Sequence, residues 1–289
     1  MSYQIVTDSS ADLSPKQVEE YGLEVIPLTL TLEGKDYKNY PDGREIGFQE
    51  FYNTLRGGKM STTSQVNAQA FKEYFKPLLK NGDILYLGFS SGLSGTVNSG
   101  RMAAEELEEY YPDRKIIVVD TLAASLGQGL LVDYACRMKR EGKSIDEVAA
   151  WVENNKLRLA HWFTVDDLNH LKRGGRVSGA AAFFGTMLNI KPVLHVDDEG
   201  HLIPMEKVRG RKASLDALVD HMIKTGEDLE QQVVFISHGD CLTDAEYVEE
   251  QVKKRCHVKD VKINYVGPVI GSHSGPGTMA LFFLAKNRD

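Results

Sequence analysis

A chain of 289 residues, 42% hydrophobic and 26% charged, has enough apolar material for one large domain or two of ordinary size and no bias toward disorder. Its formal net charge of -7 argues against a nucleic-acid partner, which calls for a basic footprint, and no run approaches the roughly 20 apolar residues that cross a bilayer. The opening MSYQIVTDSS lacks a basic-then-apolar leader, and Cys136, Cys241 and Cys256 form no Cys-x-x-Cys pair, so a cytoplasmic chain with free thiols and no stable membrane insertion is expected.

Gln4–Thr7 is rich in strand formers and ends at Asp8-Ser9-Ser10. Ser14-Pro15-Lys16-Gln17 carries a capping residue, a proline at the first helical position and a glutamine that closes a capping box, with Gly22 as terminator. Glu24–Leu32 returns to strand character before a Glu33-Gly34 turn, and a helix around Ile46–Leu55 stops at Gly57-Gly58. Phe71, Phe75 and Leu78 share one face of a helix over Asn67–Leu79. Strand Ile84–Leu87, helix Val97–Tyr110, strand Ile116–Val119 and helices Leu126–Lys139 and Ile145–Leu159 follow, the last announced by Ser144-x-x-Glu147.

The second half reads as strand Trp162–Val165, a short helix Asp166–Arg173 closed by Gly174-Gly175, and a hairpin of Ile190–Val196 and His201–Met205 about Asp197-Asp198-Glu199-Gly200. Helix Ala213–Ile223, strand Val233–Ser237, helix Ala245–Lys254, strand Val261–Val266 and the apolar run Thr278–Ala285 complete it. Strand-then-helix order predicts an α/β fold of two domains, 1–160 and 161–289, each a sheet covered by helices with a ligand cleft between them. Whether the last strand crosses back to the first domain is left open.

Gly88-Phe89-Ser90-Ser91-Gly92-Leu93-Ser94-Gly95-Thr96 sits after a strand and before a helix. Its glycines permit a tight turn with exposed N–H groups, the helix end adds partial positive charge, and Ser91, Ser94 and Thr96 add donors. Anion binding and ordinary turn and capping duties both fit. Ser61-Thr62-Thr63-Ser64-Gln65 is a second hydroxyl cluster before a helix, where Ser64 is the expected cap and three hydroxyls remain unexplained. Two such clusters in adjacent units favour one shared cleft. In His273-Ser274-Gly275-Pro276-Gly277 the glycines and proline set a tight bend, and His273 either faces a cleft or caps the bend. Leu171-Lys172-Arg173-Gly174-Gly175-Arg176 places three cations by a helix end, answering its dipole or facing an anionic ligand or a partner. Val177–Leu188, with Ala180-Ala181-Ala182-Phe183-Phe184 between Gly179 and Gly185, suits a tunnel wall or plain core packing.

Metal and catalytic signatures are weak. The eight histidines are scattered without ligand spacing, and Asp197-Asp198-Glu199-Gly200 is too short for a calcium loop. There is neither a phosphate loop with its lysine nor a nucleophile elbow, and nothing in the spacing requires a Ser94/His273/Asp8 relay. No catalytic residue, metal or cofactor is assigned.

Taken together, Val6-Thr7-Asp8-Ser9-Ser10, Thr63-Ser64-Gln65, Ser90-Ser91-Gly92-Leu93-Ser94-Gly95-Thr96, Val119-Asp120-Thr121, Leu171 to Arg176, Lys191-Pro192-Val193-Leu194 and His273 to Gly277 resemble the DegV family over essentially the whole chain. The resemblance implies a two-domain α/β protein that binds a long-chain fatty acid between its domains. It implies that Thr63 and Ser94 hold the carboxylate, with His273 near that end, Arg173 and Arg176 in a functional role, and Thr62, Ser64, Ser91 and Gly95 as supporting candidates. This chain departs from many members in having Val66 after the Thr-Ser-Gln motif and Ser274 after the histidine. Some relatives look like binding subunits of a bacterial fatty-acid kinase, presenting the acid to a separate ATP-dependent subunit for acyl-phosphate formation in phospholipid metabolism. The expectation is therefore a fatty-acid carrier without catalysis of its own. The alternatives are a small-molecule hydrolase or transferase using His273 at the cleft, and an interaction protein with no cavity.

Overall fold

Local signals place most elements where the computed structural model has them; it describes residues 2–177 and 189–288. In chain order these are β1 (Tyr3–Asp8), α1 (Pro15–Tyr21), β2 (Glu24–Ile26), β3 (Thr29–Leu32), β4 (Lys35–Lys38), α2 (Phe48–Arg56), β5 (Ser61–Ser64), α3 (Ala68–Leu79), β6 (Asp83–Gly88), α4 (Thr96–Glu108), β7 (Ile116–Asp120), α5 (Leu126–Arg140) and α6 (Ile145–Asn155). There follow β8 (Leu159–Thr164), α7 (Asn169–Gly174), β9 (Ile190–Val196), β10 (Leu202–Arg209), α8 (Arg211–Thr225), β11 (Val233–His238), α9 (Leu242–Cys256), β12 (Asp260–Tyr265), α10 (Pro268–Ser274) and β13 (Met279–Leu284). Both expected capping boxes form, at Ser14/Gln17 and Ser144/Glu147, and Gly22 ends α1 in the left-handed conformation.

The first sheet, in the order β2-β1-β6-β7, is wholly parallel, so each step needs a crossover and both faces are covered. Alternation along its strands sends Ile5, Leu85 and Leu87 to the face that meets α5 and α6, and Val6, Ile84 and Tyr86 to the face under α3 and α4. The second sheet, β10-β9-β8-β13-β11-β12, is antiparallel except for its β11–β12 edge. Trp162, Ile236 and Phe283 pack under α8 and α9, while Phe163, Phe235 and Phe282 point the other way, into the cluster that also holds α5. Helix α5 thus lies between two sheets and is buried almost all round over Leu126–Cys136, as its composition of leucine, valine, alanine and glycine permits. A small antiparallel sheet, β4-β3-β5, packs with α2 around Leu30, Phe51 and Tyr52.

Two expectations are corrected. Glu24–Leu32 is not one strand: Pro27 removes a ladder donor, and β2 and β3 join different sheets. Ser61–Ser64 is not the run-up to a helix but strand β5, and the cap of α3 is Asn67, whose side chain accepts from Ala70 N–H at 2.9 Å. His273 stands in the last turn of a helix the sequence reading did not place, α10, which opens on Pro268 and stops at Gly275, at φ +81°, and the expected bend follows at Gly275-Pro276-Gly277. The final strand β13 pairs with β8 and β11, so it stays within the second sheet.

Candidate functional site

Where the two large sheets and the small one converge, a cavity of about 310 Å³ opens, within the size range of small-molecule sites. Its walls follow from strand alternation. On β8, His161 and Phe163 face it while Trp162 turns to the opposite layer; Thr278, just before β13, and Ala280 and Phe282 on it also line the cavity. Leu28, Phe89, Leu93, Leu202, Val269 and Ile270 complete an apolar lining from both halves of the chain.

A polar cluster forms where β5, α10 and the loop before α4 meet. In the β3–β5 pairing Thr63 stands opposite Leu30 and Ser61 opposite Leu32, the inward face, whereas Thr62 stands opposite Thr31 on the outward face. Thr63 is therefore half-buried in the cavity wall and Thr62 is exposed outside it. Two bonds tie this strand to α10: Ser61 Oγ donates to Ser272 Oγ at 2.8 Å, and Thr63 Oγ1 lies 2.7 Å from His273 Nε2. Burial, with the Arg176 guanidinium nearby, pushes His273 down to about 4, so the imidazole is neutral near pH 7. Gly174 packs flush on this ring, and a side chain there would run into Nδ1.

Ser94 arrives from the other hydroxyl segment. Its Oγ lies 2.9 Å from Thr96 Oγ1 and accepts from Thr96 N–H at 3.3 Å, at the start of the thirteen-residue α4. Gly95 precedes that helix, and the Gln65 side chain crosses so close that a Cβ on Gly95 would strike its carboxamide. Thr63, Ser64, Gln65, Ser94, Gly95, Arg176 and His273 all line the cavity. An anion here would meet two hydroxyls, an imidazole, a guanidinium and the positive end of a helix. Other polar residues also line the cavity, among them His161, Ser125, Ser237, Ser274 and Thr278. His161 is fully buried and pushed well below the ordinary histidine value by desolvation, and Ser125 turns its Oγ away to the Asp12 carboxyl at 2.6 Å.

Of the sequence candidates, Thr63, Ser64, Ser94, Gly95, Arg176 and His273 come together. Thr62, Ser91 and Arg173 are exposed and lie outside the cavity lining; Ser91 N–H instead donates to Asp120 Oδ1 at 3.2 Å. The segment considered as a tunnel wall falls, after Val177, on 178–188, outside the described residues. Gln65 was not singled out, nor were the wall residues Phe163, Leu202 and Phe282; the alternation in β8 and β13 was the available signal for Phe163 and Phe282.

Among the described residues, the Ser94/His273/Asp8 relay is not assembled. Asp8 Oδ2 accepts from the Tyr86 hydroxyl at 2.7 Å and Phe89 N–H at 3.0 Å, and Asp8 borders a separate small void. His273 is bonded to Thr63, and among the described residues Ser94 has no bond to either His273 or Asp8. Burial pushes the Cys136 and Cys241 thiols up to about 12, away from nucleophilic character. Among the described residues no group of three or more His, Cys, Asp or Glu could hold a metal ion, and no helix is long and apolar enough to cross a membrane.

Comparison with known proteins agrees with this architecture. The DegV family profile matches residues 2–286. A DegV domain-containing protein of Clostridium perfringens is 49% identical over 288 residues, 99% of each chain. Among solved structures, a DegV family protein from Thermus thermophilus, described for its fatty acid binding, superposes with a TM-score of 0.90 at 33% identity, covering 99% of this chain and all of the other. A DegV lipid binding protein from Thermotoga maritima superposes with a TM-score of 0.88 at 32% identity over the full length of both. The chain belongs to the DegV family.

Proposed function

We propose that this DegV-family chain is a carrier of a long-chain fatty acid, with the carboxylate at Thr63 and Ser94 and the acyl tail in the cavity. The observation that carries the reading is the pairing of an apolar lining drawn from both halves of the chain with a cluster of hydroxyls, imidazole and guanidinium at Thr63, Ser94, His273 and Arg176. The fatty acid binding of the Thermus thermophilus relative supports it. Burying a sixteen-carbon tail offers about 11 kcal/mol gross at about 0.8 kcal/mol per methylene, before ordering and association costs. A carboxylate cannot follow it bare, so the head group must find charge-assisted hydrogen bonds.

The neutral His273 gives those bonds a direction. With its proton on Nε2 it donates to Thr63 Oγ1, which leaves the threonine O–H free to donate to the ligand. Ser94 O–H and the N-terminal amides of α4 supply the rest, and the Arg176 guanidinium adds charge without occupying the centre. His273 then orients a donor and does not act as a base.

We also propose that the bound acid is presented to a separate ATP-dependent kinase subunit, in the cytoplasm, with the two domains meeting near residue 160. Arg173 supports the partner half of this reading: it is exposed, three residues before Arg176 of the lining but outside the lining itself, and so available to another protein or to a phosphorylated head group. Arg173→Glu is expected to lower kinase-coupled turnover while leaving fatty-acid affinity within about twofold; equal losses in both would count against it.

Native mass spectrometry followed by denaturing extraction tests the carrier reading. One fatty acid per chain is the expected result. Protein that takes up no lipid after incubation with fatty acid would sink it.

A further inference from the structure

The loop that carries Ser94 hangs from the first sheet, yet a turn of the second sheet holds it in place. Ser90, fully buried, is the hub of the loop. Its N–H donates to Ala123 O at 3.0 Å, and its carbonyl accepts from the N–H groups of Leu93 and Ser94, each at 3.1 Å. Its hydroxyl accepts from Gly92 N–H at 3.2 Å and donates to Gly200 O at 2.9 Å, in the turn between β9 and β10. Gly92 presses on the same turn: a methyl there would sit 2.8 Å from Glu199 O and 2.9 Å from Gly200 O, backbone atoms that cannot swing aside. The turn is itself braced. Gly200 N–H donates to Asp197 O at 3.0 Å, Glu199 and His201 N–H groups donate to Asp197 Oδ1 at 3.0 and 2.8 Å, and Arg288 donates to Asp197 O at 2.9 Å. None of Ser90, Gly92, Glu199 or Gly200 lines the cavity.

We propose that the Asp197–Gly200 turn is a positioning element for the head-group end of the cavity, acting through Ser90 and Gly92 to hold Ser94 where a carboxylate can use it. The inference rests on the reading of Ser94 as a carboxylate contact. It makes selection of an acid over an uncharged head group depend on the seam between the two halves of the chain, and not only on the residues that touch ligand. Loss of the Ser90 hydroxyl would leave Gly200 O and Gly92 N–H without their partner and free the turn from the loop, while the apolar walls stay in place.

The test compares dissociation constants for palmitic acid and for hexadecanol, which has the same tail and no charge, in the unmodified protein, Ser90→Ala and Gly92→Ala. Both variants are expected to lose about tenfold in affinity for the acid, equivalent to about 1.4 kcal/mol, and to keep hexadecanol within about twofold. A merely structural role would weaken acid and alcohol alike, and that result, or no loss of either, overturns the proposal. No acid preference in the unmodified protein would remove the role of Ser94 itself, and the inference with it. A measurement on the unmodified protein guards against variants that fail to fold. By reciprocity of coupled sites, palmitic acid should slow amide exchange at Glu199 and Gly200; exchange there unchanged by ligand would overturn the proposal too.

Discussion

The two hydroxyl segments are alike in composition and differ in the way they deliver a side chain. Ser61–Ser64 is a strand, so its residues alternate, and Ser61 and Thr63 share the face of Leu30 and Leu32. It is braced from behind by α10, through Ser272 and His273. Ser90–Gly95 is a loop with no period, held through the backbone and hydroxyl of Ser90, and its polar contribution to the cavity is Ser94 together with the helix start that follows, beside the apolar Leu93. The lesson is that one half of the site depends on a titratable support and the other does not. Conditions that charge His273 should disturb the Thr63 side and leave the Ser94 loop intact.

That contrast predicts the largest effect. His273 is held near 4 in the folded protein against an ordinary value of about 6.5, because burial and Arg176 oppose its charge. Between those values the unfolded chain binds a proton that the folded chain refuses. Stability from this group is therefore full above pH 6.5, falls as pH drops toward 4, and changes no further below that. The loss is about 3 kcal/mol at 1.36 kcal/mol per pKa unit. Buried His161 and His238 and half-buried His170 shift in the same direction, so the difference between the unmodified protein and His273→Asn isolates the contribution. Denaturant titrations from pH 7 to pH 4.5 should show the shallower slope in the variant; parallel slopes would mean that His273 is not held neutral. A bound carboxylate should stabilise the charged imidazole, so the complex should be less sensitive to acid than the free protein.

Next come the two hydroxyls. Ser94→Ala is expected to weaken fatty-acid binding by about 2 kcal/mol, the worth of a hydrogen bond to a charged group, with little change in fold. Thr63→Val should cost less, about 1 kcal/mol, because the His273 Nε2–H that held the threonine is then free to meet the carboxylate itself. Isothermal titration at pH 7 separates them. A Thr63→Val loss larger than that of Ser94→Ala would show that the imidazole does not substitute, and an unchanged dissociation constant in Ser94→Ala would remove Ser94 from the site.

How much of this was legible in the sequence depends on whether the signal was local. Caps, periodic helices and β-rich strands were, because Ser14/Gln17, Ser144/Glu147 and the phenylalanines of α3 specify their own neighbourhoods. Strand β5 was not. Ser-Thr-Thr-Ser has no hydrophobic alternation to read, and it becomes a strand because Leu30 and Leu32 of β3 offer it a partner. Helix α10 was hidden by the glycines and proline that terminate it; Pro268 at its first turn was the readable clue. The cavity itself was the least legible feature. Leu28, Phe163, Leu202 and Phe282 are ordinary core residues by type, and only the meeting of two sheets across α5 makes them the wall of an open space.

The smallest expected effect draws the comparison most finely. Thr62 and Ser91 sit one and three residues from the two proposed contacts, carry the same chemistry, and are exposed outside the cavity lining. Thr62 faces outward by the strand's period of two, opposite Thr31, and Ser91 is turned by its backbone bond to Asp120. Thr62→Ala and Ser91→Ala should each change fatty-acid affinity by no more than about 0.5 kcal/mol, the range for surface substitutions away from special features. A larger loss in Thr62→Ala would mean that β5 shifts register by one residue when ligand binds, because a one-residue slip is what exchanges the two faces of a strand. In that case Thr63 would move to the outward face and Thr63→Val would become the silent change, so the pair of variants distinguishes the two registers without a structure of the complex.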